Sequence, residues 1–488
     1  MRFKALFACA VLLALTVGLN ASPSTAADVT MPVLRVTFNG KFKADMAYVN
    51  GQMQLTDQYG QTVSLPAKFK TRGATASEYM MKPSFNMKLL NADYSQEQDS
   101  ALLGMRSCSS WILDAMAIDR ICMRNRVAFD IWNDFAKLPY ETQFDRRNGT
   151  EGRFVEVYIN DEYYGIYCMT DRINRKLLDL KKVKEHEFGP DTVRGVLYKS
   201  GTQDLLRQEE RSFSPDSSVC VVEWHNAWEL SYPEDHGGME AWSPLLDMFD
   251  NGQSAAYVKK YFVLQNIADY EIHVMALSIV DNWGNKNHFF SIRNITKSLN
   301  DRDINEAIKR RVILTPWDLD TSLGGDYNGS CYGGHYTDWP LEALNNNAPY
   351  PVSALVHDQA YLDLLRSRWL ALRGNVFSTD SVNAKLERYR DLFIQSGAWN
   401  RMVTHYDHKS NKPKYVTDLA AEIELIEAWY ANRFQEMDEY FNVTALEDIP
   451  EEVADSTLYD LLGRKLGTQA PAPGAYIRNG KVVIITNQ

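Results

Sequence analysis

Acids and amides stand together in two motifs of the sequence. Asp281 opens an Asp-Asn-Trp motif with Asn287 shortly after it, and Asp318 and Asp320 lie in a later Pro-Trp-Asp-Leu-Asp motif. Phosphoryl transfer needs such a set, because the protein must hold Mg²⁺ on nucleotide phosphates with a carboxylate and often an amide, and must orient the acceptor hydroxyl with a second carboxylate. Asp318 is the expected metal acid, Asn287 the amide and Asp281 the acid facing the hydroxyl, with Asp320 a further candidate metal ligand.

The same residues also allow structural interpretations. Asp281 could cap a helix end or a turn, and Asp318 and Asp320 could simply form the loop that follows a strand. A calcium-binding loop that begins at Asp318 is a third alternative. However, Leu323 and Gly329 stand where an EF-hand loop carries its Gly and its Glu. The pattern therefore departs from a calcium loop, while the structural interpretation stays open.

Regular elements are predicted on either side of the two motifs. Helical periodicity over 257–280 delivers the chain to Asp281, an aromatic strand starts at Asn287, and a strand over 311–314 ends at the Asp318 motif. Side chains at the ends of rigid elements can converge on one cleft while their neighbours fix their positions. We therefore expect these acids and amides to share a cleft.

The remaining pattern alternates between strand and helix periodicity and predicts an α+β fold. In chain order, the predicted parts are hairpins over 33–90 with Asn-Gly turns at 39–40 and 50–51, a long helical stretch from 102 to 135, a hairpin at 154–167, a strand at 196–199, a lid or insertion at 202–256, and helices over 352–441. Glycines and tyrosines alternate after Asp320, which predicts a mobile loop beside the site.

Composition and charge exclude several classes of protein. The chain has 488 residues, of which 45% are hydrophobic, and its net charge of −11 argues against nucleic acid as the main partner, since phosphate backbones need clustered Lys and Arg. Six scattered cysteines form no Cys-x-x-Cys pair, so neither a zinc site nor a disulfide scaffold is predicted. The sequence also lacks a His-Glu-x-x-His motif and a P-loop.

The first 27 residues have the layout of a secretory signal peptide. Arg2 and Lys4 precede an apolar run over 5–19, and small residues follow as far as Ala27. No later stretch reaches 18 apolar residues, so no membrane span is predicted in the mature chain. We therefore expect export, with the protein secreted or held at the cell surface.

Several motifs in one order give the chain a family resemblance. The two acidic motifs, together with the aromatic strand that begins Asn-His-Phe-Phe at 287–290, resemble the core of the spore-coat CotH kinase family. Further matches are Lys-x-Arg-Gly at 70–73, Lys-Pro-x-x-x-x-Lys-Leu at 82–89, Met-Arg-Asn at 123–125 and Val-Glu-Val-Tyr-Ile-Asn-x-Glu-Tyr-x-Gly at 155–165. The resemblance implies an atypical protein-kinase-like domain over 28–442, with a β-rich N-terminal part and a helical C-terminal part. It also implies phosphorylation of protein hydroxyls with ATP and Mg²⁺ or Mn²⁺.

Cations on predicted strands are the candidates for contacting nucleotide phosphates. Arg72 or Lys88 could serve, and Lys199 at a strand end could hold the phosphates as a strand lysine does in kinases. The resemblance implies Asp171 as the acidic partner of Lys199, in a place where the family usually has Glu. Each of these cations could instead be solvated, and Arg124 is expected to be a structural ion-pair partner.

Residues 443–488 change character and predict a separate small β module. An acidic, Pro-containing linker precedes short strands around 475–477 and 481–485, divided by Gly and Pro. The Tyr-Asp-x-x-Gly-Arg and Gly-x-Tyr-Ile segments resemble the C-terminal sorting domains of Bacteroidetes secreted proteins. This resemblance implies delivery to the cell surface.

Two other classes of function remain open at this stage. One is a noncatalytic surface-binding protein that keeps the fold, and the other is a carbohydrate-active enzyme that uses two carboxylates and presents Trp side chains to sugars. Metal-dependent nucleotide binding distinguishes the kinase from both.

Overall fold

The structure is a computed structural model that describes most of the chain between residues 29 and 443. The described ranges are 29–40, 47–73, 82–200, 211–212, 219–222, 226–236, 238–282, 287–341, 350–407, 415–443, 474–478 and 481–485, with backbone alone for 211–227 and 474–485. The predicted signal peptide over 1–27 lies outside these ranges. No helix in the described part of the chain is long and apolar enough to cross a membrane.

The N-terminal part forms a closed β-barrel in the strand order β1-β2-β3-β4-β5-β7-β6. Its strands are β1 (Val33–Phe38), β2 (Val49–Thr56), β3 (Thr62–Arg72), β4 (Ser84–Leu89), β5 (Ser110–Asp114), β6 (Gly152–Ile159) and β7 (Glu162–Asp171). Alternate residues such as Leu34, Phe69 and Met87 point inward and are fully buried, because successive side chains of a strand face opposite sides of the sheet. The predicted β-rich segment and the hairpin around residue 160 are confirmed.

Two predictions for this region are wrong. Gly51 does not form a turn but lies inside β2, where a side-chain Cβ would come 2.4 Å from the Thr37 carbonyl oxygen of the neighbouring strand. The helical stretch expected from residue 102 is shorter, because Trp111 and its neighbours form β5 between β4 and β7. Helix α1 (Arg124–Phe135) starts only after this strand. The need to close the barrel therefore overrides the local helical periodicity.

A second, six-stranded sheet lies beside the barrel in the order β13-β12-β8-β11-β10-β9. Its strands are β8 (Val196–Ser200), β9 (Arg211–Ser212), β10 (Val219–Val222), β11 (Asn226–Tyr232), β12 (His288–Ile292) and β13 (Val312–Pro316). Lys199 on β8 pairs with Phe289 on one side and Glu229 on the other. The predicted strands that flank the two acidic motifs are thus neighbours in one sheet, as β12 pairs directly with β13.

Helices pack around this sheet and form the larger hydrophobic core. They are α2 (Met239–Asn251), α3 (Ala255–Tyr261), α4 (Leu264–Leu277), α5 (Ile304–Ala307), α6 (Gln359–Arg373), α7 (Thr379–Gln395), α8 (Ala398–Asp407) and α9 (Leu419–Tyr440). The helix predicted over 257–280 is interrupted between α3 and α4, where Phe262 is extended, bridges to Val312 and is fully buried. This contact with the sheet explains the break.

The segment expected to be a lid or insertion instead contributes to the core. Trp228 on β11 is buried against Phe290, and Trp242 on α2 is buried against Tyr198.

Near the C-terminus, β14 (Gly474–Arg478) and β15 (Lys481–Ile485) form an antiparallel hairpin at the position of the predicted short strands. The described structure is therefore a mixed α+β protein, as predicted.

Candidate active site

A polar cleft of ≈ 540 Å³ lies between the barrel and the six-stranded sheet. The barrel contributes Arg72, Lys88 and Arg172 to its lining, and the sheet side contributes Lys199, Asn287 and Asp318. The predicted metal ligands Asn287 and Asp318 therefore share one cleft with Arg72, Lys88 and Lys199, which were predicted to contact phosphate. We call Arg72, Lys88, Arg172 and Lys199 the cation group, and Asp281, Asn287, Asp318 and Asp320 the acid group.

Two hydrogen bonds hold the acid group together, one within its first motif region and one that connects this region to the residue after Asp320. Asn287 Nδ2 donates to Asp281 Oδ2 over 2.8 Å, and the Asp281 backbone N–H donates to Thr321 Oγ1 over 3.3 Å. Asn287 and Asp318 both adopt left-handed backbone conformations, with φ of +59° and +57°. Such conformations are uncommon for residues other than Gly and persist where the surrounding structure enforces them.

Two amide side chains enforce these conformations. Nδ2 of the fully buried Asn282 donates to the backbone oxygens of Asn287 over 2.9 Å and of Trp317 over 2.8 Å. Oδ1 of Asn125 on α1 accepts from the Leu319 N–H over 3.2 Å. Asp318 is therefore fixed on both sides, by Asn282 through the preceding residue and by Asn125 through the following one.

Asp114, at the end of β5, is a site residue that the sequence reasoning missed. Its Oδ2 accepts from Asn125 Nδ2 over 2.7 Å, so it orients the amide that holds the Asp318 turn. A small cavity of ≈ 40 Å³ is lined by Asp114, Asn125, Arg72 and Asp318, which places Asp114 beside Asp318. The only available sequence signal was the position of an acid at the end of an apolar run, and the wrong helix assignment concealed it.

Like charges crowd the acid group. Asp318 is open to the cleft, but protein surrounds it on its other sides, so desolvation is the largest effect raising its pKa and the charges of Asp114 and Asp281 raise it further, against Arg72. Burial and the neighbouring Asp318 hold the pKa of Asp320 well above its usual range. This excess of negative charge is the environment in which a cation is stabilised.

The residues present fit a divalent ion that is shared with phosphate. Among the described residues, no group of three His, Cys, Asp or Glu side chains could hold a metal ion without other ligands. Mg²⁺ is usually bound by one or two carboxylates together with substrate phosphates. Asp318 and Asn287, which line the cleft, and Asp320, two residues further along the chain, provide the oxygen donors of such a site.

The cation group differs in how its members are compensated. Lys88 Nζ lies 2.7 Å from Glu97 Oε1, so its charge is paired. Lys199 is half-buried, and desolvation lowers its pKa although Glu229 on the next strand opposes this shift. Arg72, the last residue of β3, lies with its guanidinium 5.3 Å from the centre of the Trp317 ring. The lysine that forms a close ion pair in the cleft is therefore Lys88.

Asp171 is not the partner of Lys199, so this prediction is wrong. Asp171 Oδ2 lies 2.6 Å from Arg106 Nε, and both side chains are fully buried. Asp171 Oδ1 also accepts from the Glu151 N–H over 2.8 Å. The end of β7 directs this carboxylate away from the cleft and into the protein, because adjacent residues of a strand face opposite sides. The next residue, Arg172, faces the cleft instead.

Arg124 is structural, as predicted. Its Nη1 lies 2.6 Å from Asp119 Oδ1, both side chains are buried, and its Nε donates to the Leu323 backbone oxygen over 3.2 Å. The glycine-rich segment after Asp320 is anchored on its far side, where the Gly333 N–H and the Tyr336 hydroxyl donate to Glu422 of α9. The segment expected to be a mobile loop is therefore attached to the helical part at more than one point.

These features define a mixed α+β protein whose cleft brings cations, carboxylates and amides together. A family model described as CotH kinase protein matches residues 69–437, which is most of the chain. The protein belongs to the CotH kinase protein family, and the resemblance inferred from the motifs is confirmed. No curated protein matches the chain.

Proposed function

We propose that the protein is an atypical protein kinase that transfers the γ-phosphate of ATP to Ser or Thr hydroxyls of another protein, with Mg²⁺ or Mn²⁺ as the metal ion. We also propose that the barrel, the sheet and the helices form an atypical protein-kinase-like domain. The observation that carries the proposal is the single cleft in which Lys199 and Arg72 lie beside Asn287 and Asp318. A phosphate donor needs cations for its oxygens and acids for its metal ion, and this cleft offers both.

In this proposal Asp281 orients the acceptor hydroxyl. The oxygen of the hydroxyl forms a bond to the γ-phosphorus, the bond from that phosphorus to the bridging oxygen breaks, ADP leaves, and the hydroxyl proton passes to the Asp281 carboxylate. The hydrogen bond from Asn287 fixes the direction of this carboxylate. Fixing the acid before the substrate arrives lowers the cost of reaching the transition state.

The metal ion would be held by Asp318 and Asn287, with Asp320 as a further ligand. When bound, it supplies charge neutralisation for the phosphate oxygens. Arg72, Lys88 and Lys199 bind the phosphate chain from the barrel and sheet sides of the cleft. The Asn282 and Asn125 amides keep the Asp318 turn in place during the reaction.

The carbohydrate-active alternative loses support from the positions of the Trp side chains. Sugar-binding Trp residues present a ring face to solvent. Most Trp residues in the described ranges are instead buried. The buried ones are Trp111, Trp132, Trp228, Trp242, Trp369 and Trp399. Trp317 lines the cleft, but its ring lies against Arg72 and Phe289.

The deciding experiment uses the chain without its first 27 residues. Binding of ATP is measured by calorimetry with and without Mg²⁺ or Mn²⁺, and transfer of labelled γ-phosphate is measured on a panel of proteins that includes the chain itself. We expect metal-dependent binding and transfer. Failure to bind nucleotide with either metal would overturn the proposal and favour the noncatalytic surface-binding protein.

We further propose that residues 1–27 direct export and that residues 443–488 deliver the protein to the cell surface. Helix α9 ends at Tyr440, before this tail begins. Deletion of 443–488 should therefore leave a folded domain with an unchanged melting temperature but alter its final location, as measured by fractionation of cells and medium. Unfolding of the truncated chain would show that the tail belongs to the core.

A further inference from the structure

Three cations in the cleft have no contacting counter-ion among the described residues. Within the described ranges, Arg72, Arg172 and Lys199 form no ion pair with a carboxylate, whereas Lys88 in the same cleft is paired with Glu97. We propose that Arg72, Arg172 and Lys199 together form a binding site for a linear phosphate chain, and that Arg172 is a phosphate-binding residue of this site. The inference rests on the proposed function and deepens it, because the chain would be that of the phosphate donor.

Arg172 is presented to the cleft by a buried ion pair. Arg106 and Asp171 are fully buried and lie 2.6 Å apart, and Arg106 Nη2 also donates to the backbone oxygen of Arg172 over 3.1 Å. This contact fixes the chain at the end of β7. The Arg172 side chain then leaves on the side opposite to Asp171 and lines the cleft. Asp171 was expected to pair with Lys199, but it instead holds Arg106, which fixes the backbone of Arg172.

Desolvation and mutual repulsion both act against the charged forms of these cations, and nearby carboxylates offset part of this effect. Desolvation is the largest effect lowering the pKa of Arg72 and of Lys199. The charges of Asp114 and Asp318 oppose it at Arg72 and that of Glu229 opposes it at Lys199, while the charge of Arg172 lowers both pKa values further. Like charges brought together in a partly desolvated cleft repel one another, and an anion between them removes this repulsion. Glu229, Glu234 and Asp318 also line the cleft, but none of them forms an ion pair with these three cations, so an anionic ligand would complete the arrangement.

The position of Arg72 indicates how the ligand extends. Arg72 lines both the cleft that contains Arg172 and Lys199 and the small cavity that contains Asp114 and Asp318. A phosphate chain held by Arg172 and Lys199 would therefore approach the acid group past Arg72. A single phosphate would satisfy only part of this set. We infer that the site recognises a polyphosphate chain, whether it belongs to a nucleoside triphosphate or to an inorganic polyphosphate.

The test measures binding of inorganic tripolyphosphate, pyrophosphate and ATP to the chain without residues 1–27, by calorimetry at low salt. The variants are Arg172→Gln, Arg172→Lys and the control Lys182→Gln, which removes an exposed cation outside the cleft. Arg172→Gln should weaken tripolyphosphate binding about tenfold, since a charge-assisted hydrogen bond contributes about 1.5–3 kcal/mol and 1.4 kcal/mol is tenfold. Arg172→Lys should restore most of the affinity, and Lys182→Gln should not change it.

The outcomes separate this inference from the proposed function. Equal affinities for Arg172→Gln and Lys182→Gln would overturn the phosphate site, even if the wild type transfers phosphate from ATP. Conversely, Arg172-dependent binding of tripolyphosphate without any ATP binding or transfer would retain the site and overturn the kinase. A wild type that binds ATP and tripolyphosphate with similar affinity would support recognition through the phosphate chain. The melting temperature of Arg172→Gln should not fall, because the substitution relieves repulsion.

Discussion

The cation group lines the cleft, Asn287 and Asp318 of the acid group line it too, and the two groups are positioned by different means. Arg72 ends β3, Lys88 and Lys199 stand within strands, and Arg172 directly follows β7, so regular β-structure places all four cations. The acid group stands on turns. Two of its members, Asn287 and Asp318, have left-handed backbones held by the Asn282 and Asn125 amides.

The difference follows from the length of the side chains. Arg and Lys have long stems and can reach a phosphate from a strand some distance away. Asp and Asn are short, so the backbone itself must be brought to the metal and held there. We therefore expect the acid group to be sensitive to substitutions of residues that never touch the substrate, and the cation group to be more tolerant.

The largest expected effect is that of Asp318→Asn. It replaces a full negative charge at the proposed metal ligand with a neutral amide, so metal-dependent nucleotide binding and transfer should both fall, transfer by about 100-fold or more. The measurements are calorimetry with Mg²⁺ and transfer of labelled phosphate. Asp326→Asn is the matched control, because Asp326 lies in the turn at Ser330 and not in the cleft. Wild-type activity in Asp318→Asn would place the metal elsewhere.

Asp281→Asn should separate transfer from binding. A residue that orients the acceptor hydroxyl acts in the transition state, so nucleotide affinity should stay within about twofold while transfer falls by roughly 10²–10⁴-fold. The same two assays with Mg²⁺ measure both quantities. A parallel loss of affinity and transfer would instead make Asp281 a metal ligand and would remove the division of roles within the acid group.

Asn282→Asp tests directly whether the acid group depends on its amide supports. The substitution keeps the shape but removes both N–H donors to the Asn287 and Trp317 oxygens, so metal affinity should fall by about 10–100-fold, as for other supporting residues of metal sites. The affinity for tripolyphosphate without metal should be unchanged, because the cation group does not use Asn282. Loss of both affinities together would point to general disruption of the fold.

The smallest expected effect on the site is that of a carboxylate outside both groups, which should influence stability alone. Glu271 on α4 is buried and accepts from the Tyr361 hydroxyl, and burial raises its pKa to about 7. The protonated Glu271 therefore adds to the free energy of unfolding at low pH. This contribution should be complete below the unfolded-state pKa of 4.5 and should be lost as the pH rises through about 7, so the free energy of unfolding should differ by about 3 kcal/mol between the two ends of this range. Glu271→Gln should lack this contribution.

Glu271→Gln is compared with the wild type by denaturant unfolding between pH 4.5 and 8. Comparison at each pH is needed because His273, with a pKa lowered to about 4 by burial, has the opposite pH dependence between pH 6.5 and 4. Metal-dependent transfer should be unaltered. A buried carboxylate outside the acid group would then affect stability alone, whereas the carboxylates of the acid group affect transfer. Identical pH profiles for the two proteins would show that Glu271 does not titrate in this range.

Much of the site could be predicted from local sequence. The strands that flank the acidic motifs follow from aromatic and branched residues, and β12 and β13 are indeed paired. Acids and amides at the ends of such strands share an edge of the sheet, so Asn287 and Asp318 meet in one cleft. Local periodicity was less informative where a segment had to complete a sheet, as with β5 and with the extended residue Phe262.

Partners across the chain could not be predicted, because they depend on which side of a strand faces which neighbour. The sequence by itself determined that Asp171 and Arg172 follow a strand, but only the closed barrel decided that Asp171 is buried with Arg106 while Arg172 faces the cleft. Likewise, Asp114 is close to Asp318 only because β5 and α1 bring it there through Asn125. Local chemistry and periodicity depend on neighbouring residues. The contact between Arg106 and Asp171 joins residues 65 positions apart, and the contact between Asn125 and Leu319 joins residues 194 positions apart.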